Sequence, residues 1–166
     1  VKVFMANGRP LLIFVSRFAS NPSCMSDLKQ AGSFRPDGTR IWAQDAAYPH
    51  ANQVLPADYE LPPTYQDALR YSRLAGQGFD YVRLDFLCDR TSIYAGEVTI
   101  YSGGGFDTWN TLEVPRIILD NWDLRRSWFL RSEQTGWRAI YAASLKSTLD
   151  RYYAQKSTSK DHRSCQ

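Results

Sequence analysis

Two short stretches, Tyr81-Val82-Arg83-Leu84-Asp85-Phe86 and Gly96-Glu97-Val98-Thr99-Ile100-Tyr101, constrain this chain more than any other feature. They belong to strand candidates spanning Phe79 to Cys88 and Ile93 to Tyr101, both rich in β-branched and aromatic residues. A three-residue loop, Arg90-Thr91-Ser92, lets them pair in one register. On one face that register sets Val82 against Ile100, Leu84 against Val98 and Phe86 against Gly96. On the other it sets Arg83 against Thr99 and Asp85 against Glu97, with Leu87 and Ala95 as apolar exceptions. A slip of one residue puts apolar and charged side chains on the same face.

Two carboxylates opposed across a strand pair repel. The arrangement is tolerable when a cation lies between them or one carboxyl is protonated. One answer is a hard ion. Oxygen ligands without Cys or His suit Mg²⁺, which is commonly held by one or two carboxylates plus substrate phosphates. Arg83, two residues from Asp85 on the same face, can then pair with a phosphate oxygen. The other answer is a structural salt bridge from Arg83 to both acids. Spacing alone does not choose between them.

The rest of the chain supplies context. Val1 to Ala6 and Pro10 to Val15 are apolar runs around Asn7-Gly8, a hairpin signal because a type I′ turn needs positive φ at both positions. Residues 16 to 60 carry Asn21-Pro22, Pro36-Asp37-Gly38 and Pro49 and show no strong period. They read as a long irregular excursion with one short helix near Ser26 to Ala31. After Pro62-Pro63 a helix is expected from Thr64 to Ala75, with Ala68, Leu69, Tyr71 or Ser72, and Ala75 inward, stopped by Gly76 and Gly78. A C-terminal helix is expected from Trp137 to Gln155, with Ile140, Ala143 or Ser144, Leu145 and Leu149 inward. Residues 157–166 are polar and expected to be a disordered tail.

Composition excludes several classes. A length of 166 residues suits one sizeable core. The net charge of +3 lacks the concentrated basic stripe of a nucleic-acid binder. Arg125, Arg126 and Arg131 cluster, and read as a solvated helix face. No apolar run approaches the roughly 18 residues of a membrane span. Cys24, Cys88 and Cys165 are scattered and odd in number, with only His50 and His162 beside them. That argues against a zinc site and for a reducing, cytoplasmic setting. The chain opens Val-Lys-Val-Phe, without Met or a signal-peptide pattern, and directly in strand-like sequence. It is therefore expected to be a fragment of a longer protein.

Weaker candidates stand beside these. Lys2 can reach a phosphate as a point charge, or be a solvated strand lysine. Gly103-Gly104-Gly105 can bring backbone N–H groups to an anion, or be a flexible turn; it lacks the Lys-Ser ending of a P-loop. Trp109, Trp122, Trp128 and Trp137 can stack on sugars, but are more often core or interface residues. No Gly-x-Ser-x-Gly elbow and no His-based nucleophile pair is present.

The run Phe79 to Phe86 followed by Ile93 to Phe106 resembles the signature of TupA-like ATP-grasp proteins, a branch linked to teichuronic acid and other bacterial cell-surface polysaccharides. The opening Val1 to Pro10 is similar to that branch's earlier hairpin, with a lysine before the aromatic and an Asn-Gly turn. The helix after Leu61-Pro62-Pro63 matches in placement. The resemblance covers residues 1–110. It implies an α+β fold, the C-terminal subdomain of an ATP-grasp protein, with an antiparallel sheet, helices packed on one face, and ATP gripped between two subdomains. Beyond the resemblance, residues 111–156 are expected to form a C-terminal helical extension.

Carried over by motif, Asp85 and Glu97 would be Mg²⁺ ligands and Arg83 would contact the γ-phosphate or an acyl-phosphate. Lys2 would face the nucleotide phosphates, and Thr99 stands where most ATP-grasp enzymes have Asn. The reaction implied is ligation: a carboxylate, such as a sugar acid or glycan precursor, is activated as an acyl-phosphate and attacked by a nucleophile. The family's adenine-binding linker and glycine-rich loop would lie upstream of Val1. A degenerate scaffold binding glycan or a partner enzyme is the alternative from another class. A metal-dependent glycosyltransferase is a third, disfavoured because the acids lie on separate strands.

Overall fold

The structure, a computed structural model, describes residues 1–17, 30–41, 53–102 and 113–161. The first hairpin forms as the Asn-Gly pair demands. Strands β1 (Lys2–Ala6) and β2 (Arg9–Arg17) are antiparallel, and Asn7 and Gly8 both take positive φ, 52° and 76°. Helix α1 (Tyr65–Ala75) follows Thr64 and ends at Gly76, whose N–H donates to the Ser72 carbonyl at 2.7 Å. It buries Ala68, Leu69 and Ser72, while Tyr71 stays exposed.

Residues 16–60 are not one irregular excursion. Their described part holds β3 (Gln30–Phe34), β4 (Arg40–Ile41) and β5 (Gln53–Val54). The short helix expected from Ser26 to Ala31 falls mostly outside the described residues, and its last two positions begin β3. β3 lacks a clear strand signal because Gly32 and Ser33 interrupt the apolar pattern that announces one. Gly32 lets Leu55 pack closely: a Cβ there would lie 2.8 Å from the end of the Leu55 side chain, which would have to shift.

β6 (Tyr81–Cys88) and β7 (Ile93–Thr99) form the second hairpin. The sheet runs β4-β3-β2-β1-β6-β7, with β5 on β3. Its neighbours along that path are antiparallel, whereas β5 joins β3 in parallel, so the sheet is not purely antiparallel.

Nor are the helices confined to one face. Val3, Met5, Ile13, Val82, Leu84 and Phe86 share a core with α1. The alternate residues of the same strands, including Phe4, Leu12, Phe14 and Tyr81, share another with Val114 and Ile118 of α2 (Glu113–Asn121). β1 and most of β2 are apolar on both sides, which requires a cover on each. Two compact units result, Val1–Trp122 and Asp123–Gln166. The boundary falls after α2, so this helix belongs to the sheet unit and not to the extension expected from residue 111.

In the second unit a short 3₁₀ turn (Leu124–Arg126) precedes α3 (Trp128–Arg131) and α4 (Trp137–Asp161). α4 outruns its expected end, so residues 157–161 are helical and not a disordered tail. Ile140, expected inward, is exposed, while Leu145 and Leu149 are partly covered. Arg125 is more than a solvated charge. It pairs with Asp123 at 2.8 Å and Asp150 at 3.5 Å, and lies over the Tyr153 ring. No helix among the described residues is long and apolar enough to cross a membrane.

The turn between β6 and β7 spans Asp89 to Ser92, one residue more than expected. The Asp89 carboxylate organises it by accepting the Thr91 and Ser92 backbone N–H groups at 2.7 and 2.6 Å. These hydrogen bonds hold its carboxyl below the ordinary value. A lowered folded value means the stabilisation is complete above the unfolded pKa, about 3.9, and is lost as pH falls from there through the folded value. Urea unfolding of Asp89→Asn is expected to show a shallower loss of stability across that acid window than the unsubstituted chain.

Candidate functional site

The longer turn changes the hairpin register. Arg83 opposes Thr99 and Leu84 opposes Val98, as the sequence implies, but Phe86 opposes Ala95, Leu87 opposes Tyr94 and Cys88 opposes Ile93. Phe86 therefore does not meet Gly96. The extra residue is taken up in a bulge where Gly96 and Glu97 together face Asp85. Glycine suits this point, because a Cβ on Gly96 would lie 3.1 Å from the Asp85 carbonyl oxygen. The strand ends at Thr99, so Ile100 lies beyond the ladder.

On the other side of β6, β1 places Lys2 opposite Asp85 and Phe4 opposite Arg83. Lys2, Arg83, Asp85, Glu97 and Thr99 thus meet on one face of the sheet. All five candidates from the sequence are brought together. Lys2 Nζ donates to Asp85 Oδ2. Arg83 grips the same carboxylate with Nε to Oδ1 at 2.7 Å and Nη2 to Oδ2 at 3.2 Å. Its Nη2 also donates to Thr99 Oγ1 at 3.0 Å, and Thr99 Oγ1 donates to Glu97 Oε1 at 2.6 Å. Arg83 Nη2 stands 3.9 Å from Glu97 Oε1.

The repulsion expected between Asp85 and Glu97 is therefore offset by the chain's own cations. Arg83 reaches both acids and Lys2 adds a second positive charge. Burial divides the cluster into a floor and a rim. The Arg83 and Asp85 side chains are 10% and 14% exposed, whereas Glu97 is 65% exposed. In the floor the ions have lost water, so their hydrogen bonds to each other are what keep them tolerable. A groove of about 620 Å³ opens beside them, lined by Lys2, Ser16, Asp85, Cys88, Tyr94 and Glu97. Burial pushes the Cys88 thiol up, which keeps it protonated and unreactive near neutral pH.

Ser102, which sequence reasoning missed, completes the floor. Its buried Oγ accepts from Arg83 Nη1 at 2.6 Å. Nothing in the local pattern marks it, since it lies past the end of β7. Ser16 reaches the groove only because β2 adjoins β1. Gly103-Gly104-Gly105, Trp109, Cys24, Cys165, His50 and His162 lie outside the described residues. Trp122 is half-buried and packs against the core, stacked on Tyr81 at 4.7 Å between ring centres.

Among the described residues no group of three or more His, Cys, Asp or Glu side chains is placed to hold a metal ion. The available donors are two carboxylates and the Thr99 hydroxyl, enough for Mg²⁺ if a ligand supplies further oxygens. Charge supports that reading. Lys2 and Arg83 balance Asp85 and Glu97, so a bare divalent ion would leave the cluster positive. An ion arriving with phosphates would not. No family model, no curated protein and no solved structure matches this chain.

Proposed function

We propose that the chain carries the metal- and phosphate-binding face of a cytoplasmic, ATP- and Mg²⁺-dependent ligase of the ATP-grasp type. The observation that supports this is the meeting of Lys2, Arg83, Asp85, Glu97 and Thr99 on one open sheet face, although they come from three strands. Asp85 and Glu97 would hold Mg²⁺, with Thr99 beside them. Bound there with phosphates, the ion would offset the charge that grows as a phosphoryl group moves. Lys2, at the open edge of the floor, would face the phosphates as a point charge. Arg83, deeper, sets the direction of the Asp85 carboxylate and lends its charge from below. The acceptor would be a carboxylate-bearing glycan precursor, in keeping with the resemblance to the polysaccharide branch.

A second reading has one observation in its favour. Both oxygens of Asp85 are already engaged by Arg83 and Lys2, as in a structural ion network. On that reading the chain is a non-catalytic scaffold of the same fold. Calorimetric titration of the full-length protein separates the two. The ligase reading expects MgATP to bind, MgCl₂ alone to bind far more weakly, and both Asp85→Asn and Glu97→Gln to weaken MgATP by at least about tenfold, or 1.4 kcal/mol. Equal MgATP affinity in both variants would make the acids structural and favour the scaffold.

A further inference from the structure

Among the described non-glycine residues, Asn7 and Tyr101 alone have positive φ. Asn7 sits in a hairpin turn that calls for it. Tyr101, at φ 53°, is a bulky residue in the left-handed region, where its Cβ crowds the backbone. Its surroundings hold it there. The Tyr101 hydroxyl donates to the Asp80 carboxylate, 3.2 and 3.3 Å from the two oxygens. Its ring stacks on Trp122, with centres 5.8 Å apart and planes 28° from parallel. Trp122 Nε1 donates to the same Asp80 carboxylate at 3.1 Å. Asp80 is buried at the start of β6, immediately before Tyr81.

The consequence falls on the next residue. β7 ends at Thr99, and the left-handed step at Tyr101 precedes Ser102, whose buried hydroxyl meets Arg83 Nη1. Asp85 and Thr99 engage the guanidinium at Nε and Nη2, and Ser102 engages it at Nη1. A planar group held on both sides cannot rock out of the plane in which it meets the carboxylate.

We propose that Asp80, Tyr101 and Trp122 are positioning residues for the site, locking the backbone at Tyr101 so that Ser102 clamps the Arg83 guanidinium. The proposal rests on reading the Arg83–Asp85–Glu97 face as a metal–phosphate site. None of the three lines the groove beside Lys2 and Asp85. They act through Ser102 and Arg83. Burial and the adjacent Asp80 carboxylate push the Tyr101 phenol up, so the Tyr101–Asp80 hydrogen bond persists across the neutral range.

The test uses Tyr101→Phe and Ser102→Ala, each of which removes one hydroxyl and leaves the core shape intact. In nitrogen-labelled protein, rotation about the Arg83 Cζ–Nη bonds is read by NMR without any ligand, and MgATP affinity is read by calorimetry on the full-length protein. Both variants are expected to speed that rotation and to weaken MgATP about tenfold, the scale of one hydrogen bond to a charged group. A merely structural role would lower the unfolding midpoint and leave the Arg83 signal unchanged. A Tyr101→Phe protein with unaltered Arg83 rotation overturns the proposal, as does faster rotation with unaltered MgATP affinity. Undiminished MgATP binding by Asp85→Asn and Glu97→Gln overturns instead the reading of the site, an outcome the ligand-free Arg83 measurement keeps separate.

Discussion

Replacing Arg83 by Met is expected to lower the unfolding free energy by about 3–5 kcal/mol, the cost of breaking one side of a buried ion pair. Asp85 would keep Lys2 as a partner but lose both Arg83 hydrogen bonds. Ser102, fully buried, would lose the Nη1 donor, and the desolvation of that hydroxyl would go uncompensated. Thr99 would lose Nη2 as well. Urea unfolding at neutral pH measures the sum. Arg83→Lys is not a conservative alternative, because an ammonium cannot span Asp85, Thr99 and Ser102 at once. Replacing Arg83 and Asp85 together by Met and Leu is expected to recover part of the loss, because the pair's desolvation cost disappears with it. A single-variant loss below about 1 kcal/mol would mean that water reaches the floor of the site and the network is no more than a surface ion pair.

Phe4→Ala is expected to cost a similar amount, about 3–5 kcal/mol. Phe4 has no exposed surface and lies mid-sheet, opposite Leu12 on one side and Arg83 on the other. Truncation leaves a cavity that the paired strands cannot close by moving, since β1 is hydrogen-bonded along both edges. The cavity would also lie next to the guanidinium. Stability is read from the urea midpoint, and the rotation of Arg83 is expected to quicken alongside it. A loss near that of an exposed substitution, under about 0.5 kcal/mol, would show that Phe4 is not packed into the core of the sheet.

Much of the site was legible in the sequence. Alternation in Tyr81 to Phe86 and Glu97 to Tyr101 put Arg83, Asp85, Glu97 and Thr99 on one face, and the Asn7-Gly8 turn announced the first hairpin. The loop is one residue longer than the strand pattern implies because the Asp89 carboxylate takes up two backbone N–H groups and so makes a four-residue turn stable. The face survives the extra residue because a bulge at Gly96 restores it, and Gly96 can bulge because no side chain meets the Asp85 carbonyl. The strands between residues 30 and 54 were missed for another reason. They are two to five residues long, and Gly32 and Ser33 break the pattern of the longest, β3.

The sequence by itself determined which residues share a side of each strand, because side-chain direction alternates along any extended chain whatever surrounds it. It likewise determined where the first hairpin turns, because few residue pairs accept positive φ twice. Only the tertiary structure decided that β1 lies beside β6, which sets Lys2 on Asp85, and that Ser102 and the Asp80–Tyr101–Trp122 cluster stand behind Arg83. Those contacts join residues 19 to 83 positions apart. No local pattern encodes them. β1 pairs on both edges because its buried backbone N–H and C=O groups need partners, and it is covered on both sides because both its faces are apolar.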